Sequence, residues 1–250
     1  MLLPNNIERA VLFRETKEIS ELNGYDRAYI GSEYCINKLD PHKLAIILKR
    51  LPKNINITLM TPIVPENSIS IIEECLQILK KNSRHAEVVF NDWGVFELLK
   101  GKNLEPVAGR LINKQKRDPR LKNSGNFPKK IYEQFRSTTY HNPAFLKFLK
   151  ENKICRVELD NVFQGFKEVP CLNASLHYPN VFITNSRKCI DHNMQYTLKK
   201  NCKRECLNNK YKLEKGIFPV PVYIDGNTQY YVNETLPKSF KGINRLVYNA

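Results

Sequence analysis

The sequence predicts an α/β fold with a parallel sheet, on three observations. Short β-rich segments alternate with amphipathic helical segments between residues 27 and 109. Short loops join them, and the alternation resumes at residue 143 after a long insertion. Alternation of this kind is typical of βα units. A doubly wound sheet and a (β/α) barrel both fit this number of units. No G-x-G-x-x-G motif follows a strand, which disfavours the dinucleotide-binding version.

Helices are indicated by residues typical of helix N-termini and by apolar residues that recur with a period of 3.6. Asp40 precedes Pro41, a favoured first helical residue. Cys75 lies on the apolar face of the next helix, where it is expected to be a small core residue. The predicted helices are 41–51, 65–79, 93–100 and 143–152.

Strands are indicated by short β-rich runs between turn residues. Cys155 alternates with Val157 and Leu159, which predicts a packed, structural side chain. Cys171 follows Pro170 and has no clear place in the pattern. The predicted strands are 27–31, 54–61, 87–91, 105–109, 154–159 and 181–184, with a hairpin over 218–232 around an Asp-Gly-Asn turn.

Residues 110–142 form a basic, polar insertion without clean periodicity, and a loop of this length is usually functional or mobile. The chain as a whole carries a formal charge of +15, which raises the local concentration of polyanions such as nucleic acid. Lysine and asparagine are abundant throughout, so a general compositional bias is the favoured explanation of the charge. The candidate polyanion contacts are Lys114, Lys116, Arg117, Arg120 and Lys122.

Composition also limits the number of domains and indicates the cellular compartment. The 250 residues suffice for a single domain over 1–250, and no run of eighteen apolar residues predicts a membrane span. The N-terminal residues M-L-L-P-N-N-I-E-R do not resemble a secretory signal. A cytoplasmic location is therefore expected. In a reducing compartment the seven cysteines are expected to be ligands, catalytic thiols or core residues rather than disulfides.

The segment 187–206 contains three of those cysteines, Cys189, Cys202 and Cys206, together with six Lys or Arg residues. It has few large apolar side chains, so burial contributes little to its order. A metal or metal cluster is the natural anchor, because soft thiolates select zinc or iron–sulfur centres. In a barrel of parallel strands Cys35 and Cys189 would both lie at the C-terminal face, which makes Cys35 the best fourth thiolate.

Four thiolates can hold a [4Fe–4S] cluster or a structural zinc. Zinc sites usually have two close pairs of ligands, whereas only Cys202 and Cys206 are close here. The spacing C-x12-C-x3-C with a distant fourth cysteine favours the cluster, and zinc stays open as the alternative. His192 is a rival ligand, although a solvated loop histidine is the favoured interpretation.

Several motifs together carry a resemblance: Y-I-G-S-E-Y-C-I-N-K, N-D-W-G-V-F-E-L-L-K, V-A-G-R-L-I-N, V-E-L-D, and S-R-K-C followed by C-x3-C. They resemble the collagenase-like peptidase family (unclassified peptidase family thirty-two, U-32) over roughly residues 25–230. Within it the chain looks most like the UbiV-type iron–sulfur members, which assist oxygen-independent ubiquinone biosynthesis. Cys35, Cys189, Cys202 and Cys206 match that pattern in order and spacing.

The resemblance implies an incomplete or distorted TIM-like (β/α) barrel with a Cys-rich C-terminal segment that binds a [4Fe–4S] cluster. It also implies a hydroxylation that does not use O2, with the chain as enzyme or accessory subunit in a heterodimer with a second family member. Other members are linked to tRNA and rRNA hydroxylation, so RNA binding or modification is an alternative function. A zinc-stabilised interaction module is a third. Neither a Ser/His/Asp order nor an H-E-x-x-H motif supports a peptidase. The catalytic residues are not identified.

Overall fold

Eight parallel strands close into a barrel in a computed structural model of the chain. The structure describes residues 4, 6–13, 22–82, 86–170, 172–192, 195–196, 202–214, 216 and 218–249, with backbone alone at 124–126 and 195–196. The strands are β1 (Glu8–Leu12), β2 (Arg27–Gly31), β3 (Asn56–Met60), β4 (Glu87–Phe90), β5 (Glu105–Ala108), β6 (Arg156–Asp160), β7 (Asn173–Tyr178), β8 (Asn180–Asn185), β9 (Lys188–Cys189), β10 (Gln195–Tyr196), β11 (Tyr211–Leu213), β12 (Val222–Asp225), β13 (Thr228–Val232) and β14 (Ile243–Tyr248).

The barrel strands follow one another around the sheet in chain order, from β1 to β7 and then β14, which pairs back onto β1. The helices are α1 (Pro41–Arg50), α2 (Ile69–Asn82), α3 (Trp93–Leu99), α4 (Lys129–Phe135) and α5 (Pro143–Glu151). They occupy the three connections from β2 to β5 and the long one between β5 and β6. The prediction of a distorted TIM-like barrel is confirmed. Its sheet is closed, and in the described residues the distortion lies in the ring of helices.

Helix α1 begins where the sequence indicates. The Asp40 carboxylate accepts a hydrogen bond from the Lys43 N–H at 3.1 Å, and Pro41 is the first helical residue. Its Leu44 and Leu48 are buried in the core between helices and sheet. Cys75 on α2 is fully buried in the same core, which confirms its prediction as a packed residue.

The barrel interior is polar at the N-terminal ends of the strands. Arg245 on β14 is buried, and its guanidinium lies 2.5 Å from carboxylate oxygens of both Glu8 and Glu87. Above this layer Tyr29 donates to Glu158 at 3.0 Å. Opposite charges and hydrogen bonds offset the large cost of burying these groups. The interior is therefore held by ion pairs as well as by apolar packing.

After β7 the chain leaves the barrel and forms a second, antiparallel sheet with the order β11-β12-β13-β8. It then returns to the barrel as β14. The predicted strand at 181–184 exists within β8, but it belongs to this sheet and not to the barrel. The predicted hairpin is present as β12 and β13, in which Asp225 and Thr228 are the paired residues next to the turn.

Two further predictions need correction. Cys155 is exposed, because β6 begins only at Arg156 and leaves the cysteine before the sheet. Residues 110–142 are not simply irregular, since they contain α4 and two 3₁₀ segments, Pro119–Asn126 and Thr139–His141. No helix in the described part of the chain has the length and apolar character needed to cross a bilayer.

Candidate metal centre

Cys35 lies in the loop that follows β2, at the C-terminal end of the barrel. Ser32 shapes this loop, because its hydroxyl oxygen accepts the Cys35 N–H at 3.2 Å. A 3₁₀ turn, Ile36–Lys38, begins directly after the cysteine. The Cys35 side chain is buried. The loop thus directs one thiol inward at the face where barrels of this class build their sites.

Cys189 and Cys206 reach the same region from the chain that leaves the second sheet. Cys189 lies in β9, and the N–H of the next residue, Ile190, donates to the Gly226 carbonyl oxygen at 3.1 Å. Cys206 lies in a 3₁₀ turn, Glu205–Leu207. Both thiols are buried, whereas Cys202 is half-buried.

One small cavity is lined by all four thiols, those of Cys35, Cys189, Cys202 and Cys206. The hairpin turn packs against two of them: a Cβ placed on Gly226 would lie 3.3 Å from the Cys206 sulfur and 3.6 Å from the Cys189 sulfur. The sequence predicted Cys189 at this face because it follows one of the last predicted strands, 181–184, by about five residues. The structure brings it here through the second sheet instead.

Asn227 connects the two chain segments that carry the thiols, and sequence reasoning missed it. Its side-chain amide donates to the carbonyl oxygens of Tyr34 and Ser186, each at 2.8 Å. Tyr34 precedes Cys35, and Ser186 lies three residues before Cys189. The Asp-Gly-Asn turn was visible in the sequence only as a hairpin signal, because the distant carbonyl partners have no local signature.

Arg204 and His192 complete the surroundings of the thiols. Arg204 lies between Cys202 and Cys206 with φ of 60°, in the left-handed region that residues other than glycine rarely adopt. Its guanidinium lies 3.4 Å from the Asp40 carboxylate at the start of α1. His192 is half-buried and lines the cavity, which corrects the expectation of a solvated loop histidine.

Burial raises the pKa of the Cys35 and Cys189 thiols, and it raises that of Cys206 to about 11. The positive charge of Lys38 opposes this rise at Cys35 and Cys206. Backbone N–H groups of Asn37 and Asp191 oppose it at Cys35 and Cys189 respectively. A bound metal would have to compete with protons for these thiols.

The donor set suits a soft metal, because four thiols and one imidazole are ligands of zinc and of iron–sulfur clusters. The space among the thiols is about 10 Å³, near the room that one water needs. A cluster of four iron and four sulfide would need more room among the thiols than this volume gives. No group of three or more His, Cys, Asp or Glu side chains in the described ranges is arranged to hold a single metal ion.

A buried charge network borders the site at the mouth of the barrel, and the sequence did not reveal it. Arg110 pairs with Glu33 through two hydrogen bonds and with Asp160 at 2.7 Å. Arg117 pairs with the other oxygen of Asp160 at 2.5 Å. Burial is the largest single influence and raises the pKa of Glu33 and Asp160, but the charge of Arg110, the further charges of His177 and, at Asp160, Arg117, and hydrogen bonds from the arginines together lower both pKa values. These carboxyls therefore stay ionised at neutral pH.

Arg117 was predicted to contact a polyanion, and this prediction is wrong. Its side chain is buried, and it also donates to the carbonyl oxygens of Arg110 and Asn113. Arg120 is exposed and pairs with Asp118 at 2.6 Å. Three lysines of the predicted set remain exposed, namely Lys114, Lys116 and Lys122.

Of the remaining cysteines, Cys75 and Cys155 are absent from the lining of the thiol cavity, and Cys171 lies outside the described residues. No protein-family model matches the chain, and no curated protein matches it either.

Proposed function

We propose that the chain is an iron–sulfur protein in which Cys35, Cys189, Cys202 and Cys206 hold a [4Fe–4S] cluster. The single observation that carries the proposal is the convergence of four thiols, from two distant parts of the chain, on one cavity at the mouth of the barrel. Soft thiolates are the ligands that such clusters require. Bound there, the cluster would supply one-electron chemistry at the C-terminal face.

The chain's own residues have separate tasks in this proposal. Lys38 places a positive charge beside Cys35 and Cys206, which favours their thiolate forms. Asn227 and Gly226 hold the hairpin turn against the thiols. The buried pair of Arg110 and Glu33 fixes the neighbouring barrel mouth.

The resemblance to the UbiV-type members extends the proposal to a reaction. The chain would act in an oxygen-independent hydroxylation, as the enzyme or as the accessory subunit of a heterodimer with a second family member. A ubiquinone precursor is the substrate type that the resemblance suggests. A larger cavity of about 170 Å³, which shares Lys38 and Arg204 with the thiol cavity, supports a reaction at this face.

Anaerobic purification followed by metal and sulfide analysis tests the cluster. We expect a brown protein with about four iron and four sulfide per chain. A colourless protein with one zinc per chain would instead establish the structural-zinc alternative. Loss of the colour on exposure to air, followed by absorbance, would show that the cluster is oxygen-sensitive.

A second candidate function is RNA binding, favoured by the exposed side chains of Lys114, Lys116 and Lys122. The Lys122 ammonium lies 5.7 Å from the ring centroid of Phe163, so a cation and an aromatic ring share this surface. Binding of total tRNA should weaken steeply with salt if these lysines contact phosphates. A triple Lys→Ala variant should lose most of it, and tRNA that fails to bind the native protein at low salt removes this candidate.

A further inference from the structure

The larger cavity of about 170 Å³ lies beside the thiols at the C-terminal end of the barrel. Leu12 and Met60, from the ends of β1 and β3, line it on the barrel side. Leu44 and Ile47 line it from α1, and Phe182 lines it from the second sheet. A cavity of about 150 Å³ with aliphatic and aromatic walls stays dry and holds one benzene ring. The space therefore suits a molecule built on a single six-membered ring.

Two aromatic side chains give this cavity a fixed wall. Tyr34 and Phe182 both line it and stack on each other, with ring centroids 5.0 Å apart and 17° between the ring planes. The Arg110 guanidinium lies 5.7 Å from the Tyr34 ring centroid, and the Arg117 guanidinium lies 5.1 Å from that of Phe182. Buried carboxylates hold both arginines in turn. A ligand therefore meets rings that are already positioned, so little ordering of the protein opposes its binding.

The charged side chains of the described lining already interact with the protein itself. Most of them form ion pairs with one another: Lys38 with Asp225 at 3.2 Å, Arg204 with Asp40 at 3.4 Å, and Arg110 with Glu33 through two hydrogen bonds. Lys43 is exposed, and it too interacts with the protein. A charged ligand would have to break such a pair or lose its hydration without gaining a partner, and both cost free energy.

Two asparagines of the lining are bonded to each other in the same way. The Asn180 side-chain amide donates to the Asn249 carbonyl oxygen at 2.7 Å, and the Asn249 amide donates to the Asn180 carbonyl oxygen at 2.9 Å. Because these amides and the ion pairs are already bonded, the apolar walls decide which ligand binds. Mostly apolar walls are typical of small-molecule sites.

We propose that this cavity binds a neutral, apolar molecule built on one six-membered ring, and that it excludes anions and cations of the same size. Lys38 and Arg204 line both this cavity and the thiol cavity, so the bound ring would lie next to the thiols. The proposal deepens the proposed function by giving the size and charge of the group at this face, and it rests on that function only for the reaction. The binding itself requires no metal.

The test uses ¹⁹F NMR with three probes that have the same number of non-hydrogen atoms: neutral 4-fluoroacetophenone, anionic 4-fluorobenzoate and cationic 4-fluorobenzamidinium. Saturable binding of the neutral probe with a dissociation constant below about 10 mM is expected from its number of atoms. Each charged probe should bind at least about tenfold more weakly, because nothing in the cavity offsets its desolvation. Equal or tighter binding of either charged probe, or no binding of the neutral one in this range, overturns the proposal.

Tryptophan variants locate the binding. Ile47→Trp should fill the cavity and abolish binding of 4-fluoroacetophenone, because Ile47 is one of the lining residues. Ile46→Trp is the matched control, since Ile46 is exposed and lies outside the lining. Thermal melts check that the variants fold, and Leu12→Trp, from the barrel side, replaces an Ile47→Trp that does not fold. Binding that survives in a folded lining variant overturns the location.

A fourth variant tests whether the ion pairs exclude the acid. Asp225→Asn removes the carboxylate that pairs with Lys38, so binding of 4-fluorobenzoate should strengthen at least about threefold through a new charge-assisted contact. Binding of 4-fluoroacetophenone should stay unchanged. Unchanged binding of the acid would contradict the exclusion of charge by these pairs.

Iron content, measured in every sample, separates this proposal from the proposed function. Failure of 4-fluoroacetophenone to bind protein that retains its iron contradicts the present proposal alone. Binding of that probe to anaerobically purified protein that contains no iron contradicts the proposed function alone.

Discussion

The side-chain amide of Asn227 donates to the carbonyl oxygen of Tyr34 at 2.8 Å, across most of the length of the chain. With its second hydrogen bond, to Ser186, it joins the loop of Cys35 to the segment of Cys189. The geometry of the four-thiol cavity therefore depends on a neutral residue that has neither a thiol nor an imidazole.

Replacement of Asn227 by Ala should weaken metal retention more than it weakens the fold. Two carbonyl oxygens lose a partner, which costs about 1–3 kcal/mol of unfolding free energy. A chelator should then remove iron several-fold faster, as followed by absorbance. Asn82→Ala is the control, because the Asn82 amide donates to the Ile78 carbonyl oxygen within α2, on its exposed surface. Equal rates of iron loss in the native protein and Asn227→Ala would contradict the bridging role.

Single Cys→Ser replacements should separate the ligands from the other cysteines. Variants at 35, 189, 202 and 206 should each lose most of the iron, because a hydroxyl is a poor substitute for a soft thiolate. Cys75→Ala should keep its iron and lose about 1 kcal/mol of stability, since it leaves a small core cavity. Cys155→Ala should change neither the iron content nor the stability, because Cys155 is exposed.

A His192→Ala variant tests whether the histidine is a ligand, since His192 lines the thiol cavity. Iron content should be unchanged if the four thiols are the ligands. Loss of iron from His192→Ala together with full iron in Cys35→Ser would show that the histidine takes the fourth position.

Gly226→Ala should impair metal binding by crowding a thiol. Gly226 has φ of +59°, and an added Cβ would lie 3.0 Å from the Cys206 Cβ. Gly101 has φ of +73° with no atom within 4 Å of an added Cβ, so Gly101→Ala has the same backbone penalty of about 1–2 kcal/mol without crowding. Urea unfolding should show at least as much destabilisation in Gly226→Ala as in Gly101→Ala, and metal analysis should show low iron only in Gly226→Ala. Similar iron contents would mean that the turn does not constrain the thiols.

Acid should destabilise the barrel through Glu87. Burial raises the pKa of this carboxyl, but hydrogen bonds and charge from Arg245, with Arg27 and Arg156, lower it from 4.5 to about 2. The lowered pKa contributes stability that is complete above pH 4.5 and is lost as the pH falls towards 2. Its size is about 3 kcal/mol. Urea unfolding between pH 7 and pH 3 should show the loss.

Glu87→Gln should be less stable than the native protein at pH 7 by about 3 kcal/mol, because it removes one carboxylate from the buried arginines Arg27 and Arg245, which keep Glu8. Its stability should fall less between pH 5 and pH 3, although Glu8, Glu33 and Asp160 add to the dependence because their pKa values are also lowered. Exposed Glu97→Gln is the control with an unchanged profile. If the stability of Glu87→Gln falls between pH 5 and pH 3 as much as that of the native protein, groups other than Glu87 cause the acid destabilisation.

The regular βα units from β2 to β5, and α5 with β6 after the insertion, could be predicted because local signals agree there. Caps such as Asp40 and apolar periods act within a few residues, and the structure bears out those elements. Strands β1, β7 and β14 were missed. They carry inward polar residues such as Glu8, His177 and Arg245, whereas buried parallel strands usually form continuous apolar runs.

The four thiols could be grouped from the sequence because cysteine is rare and its spacing is informative. Glu33, Arg110 and Asp160 could not, since each is an ordinary charged residue whose partner is distant in the chain. The same reason explains the error at Arg117. A run of basic residues predicts a solvated surface, and only the fold reveals that one member turns inward to Asp160.

The ion pairs of Arg245 can form only late in biosynthesis, because Arg245 is on β14, the last strand of the barrel. Glu8 and Glu87 leave the ribosome long before the arginine that neutralises them in the barrel. A nascent chain that ends before residue 243 exposes unpaired edges on both β1 and β7, which β14 covers in the finished barrel. Until that strand is synthesised both edges stay open, so stalled translation before it would leave a chain prone to aggregation.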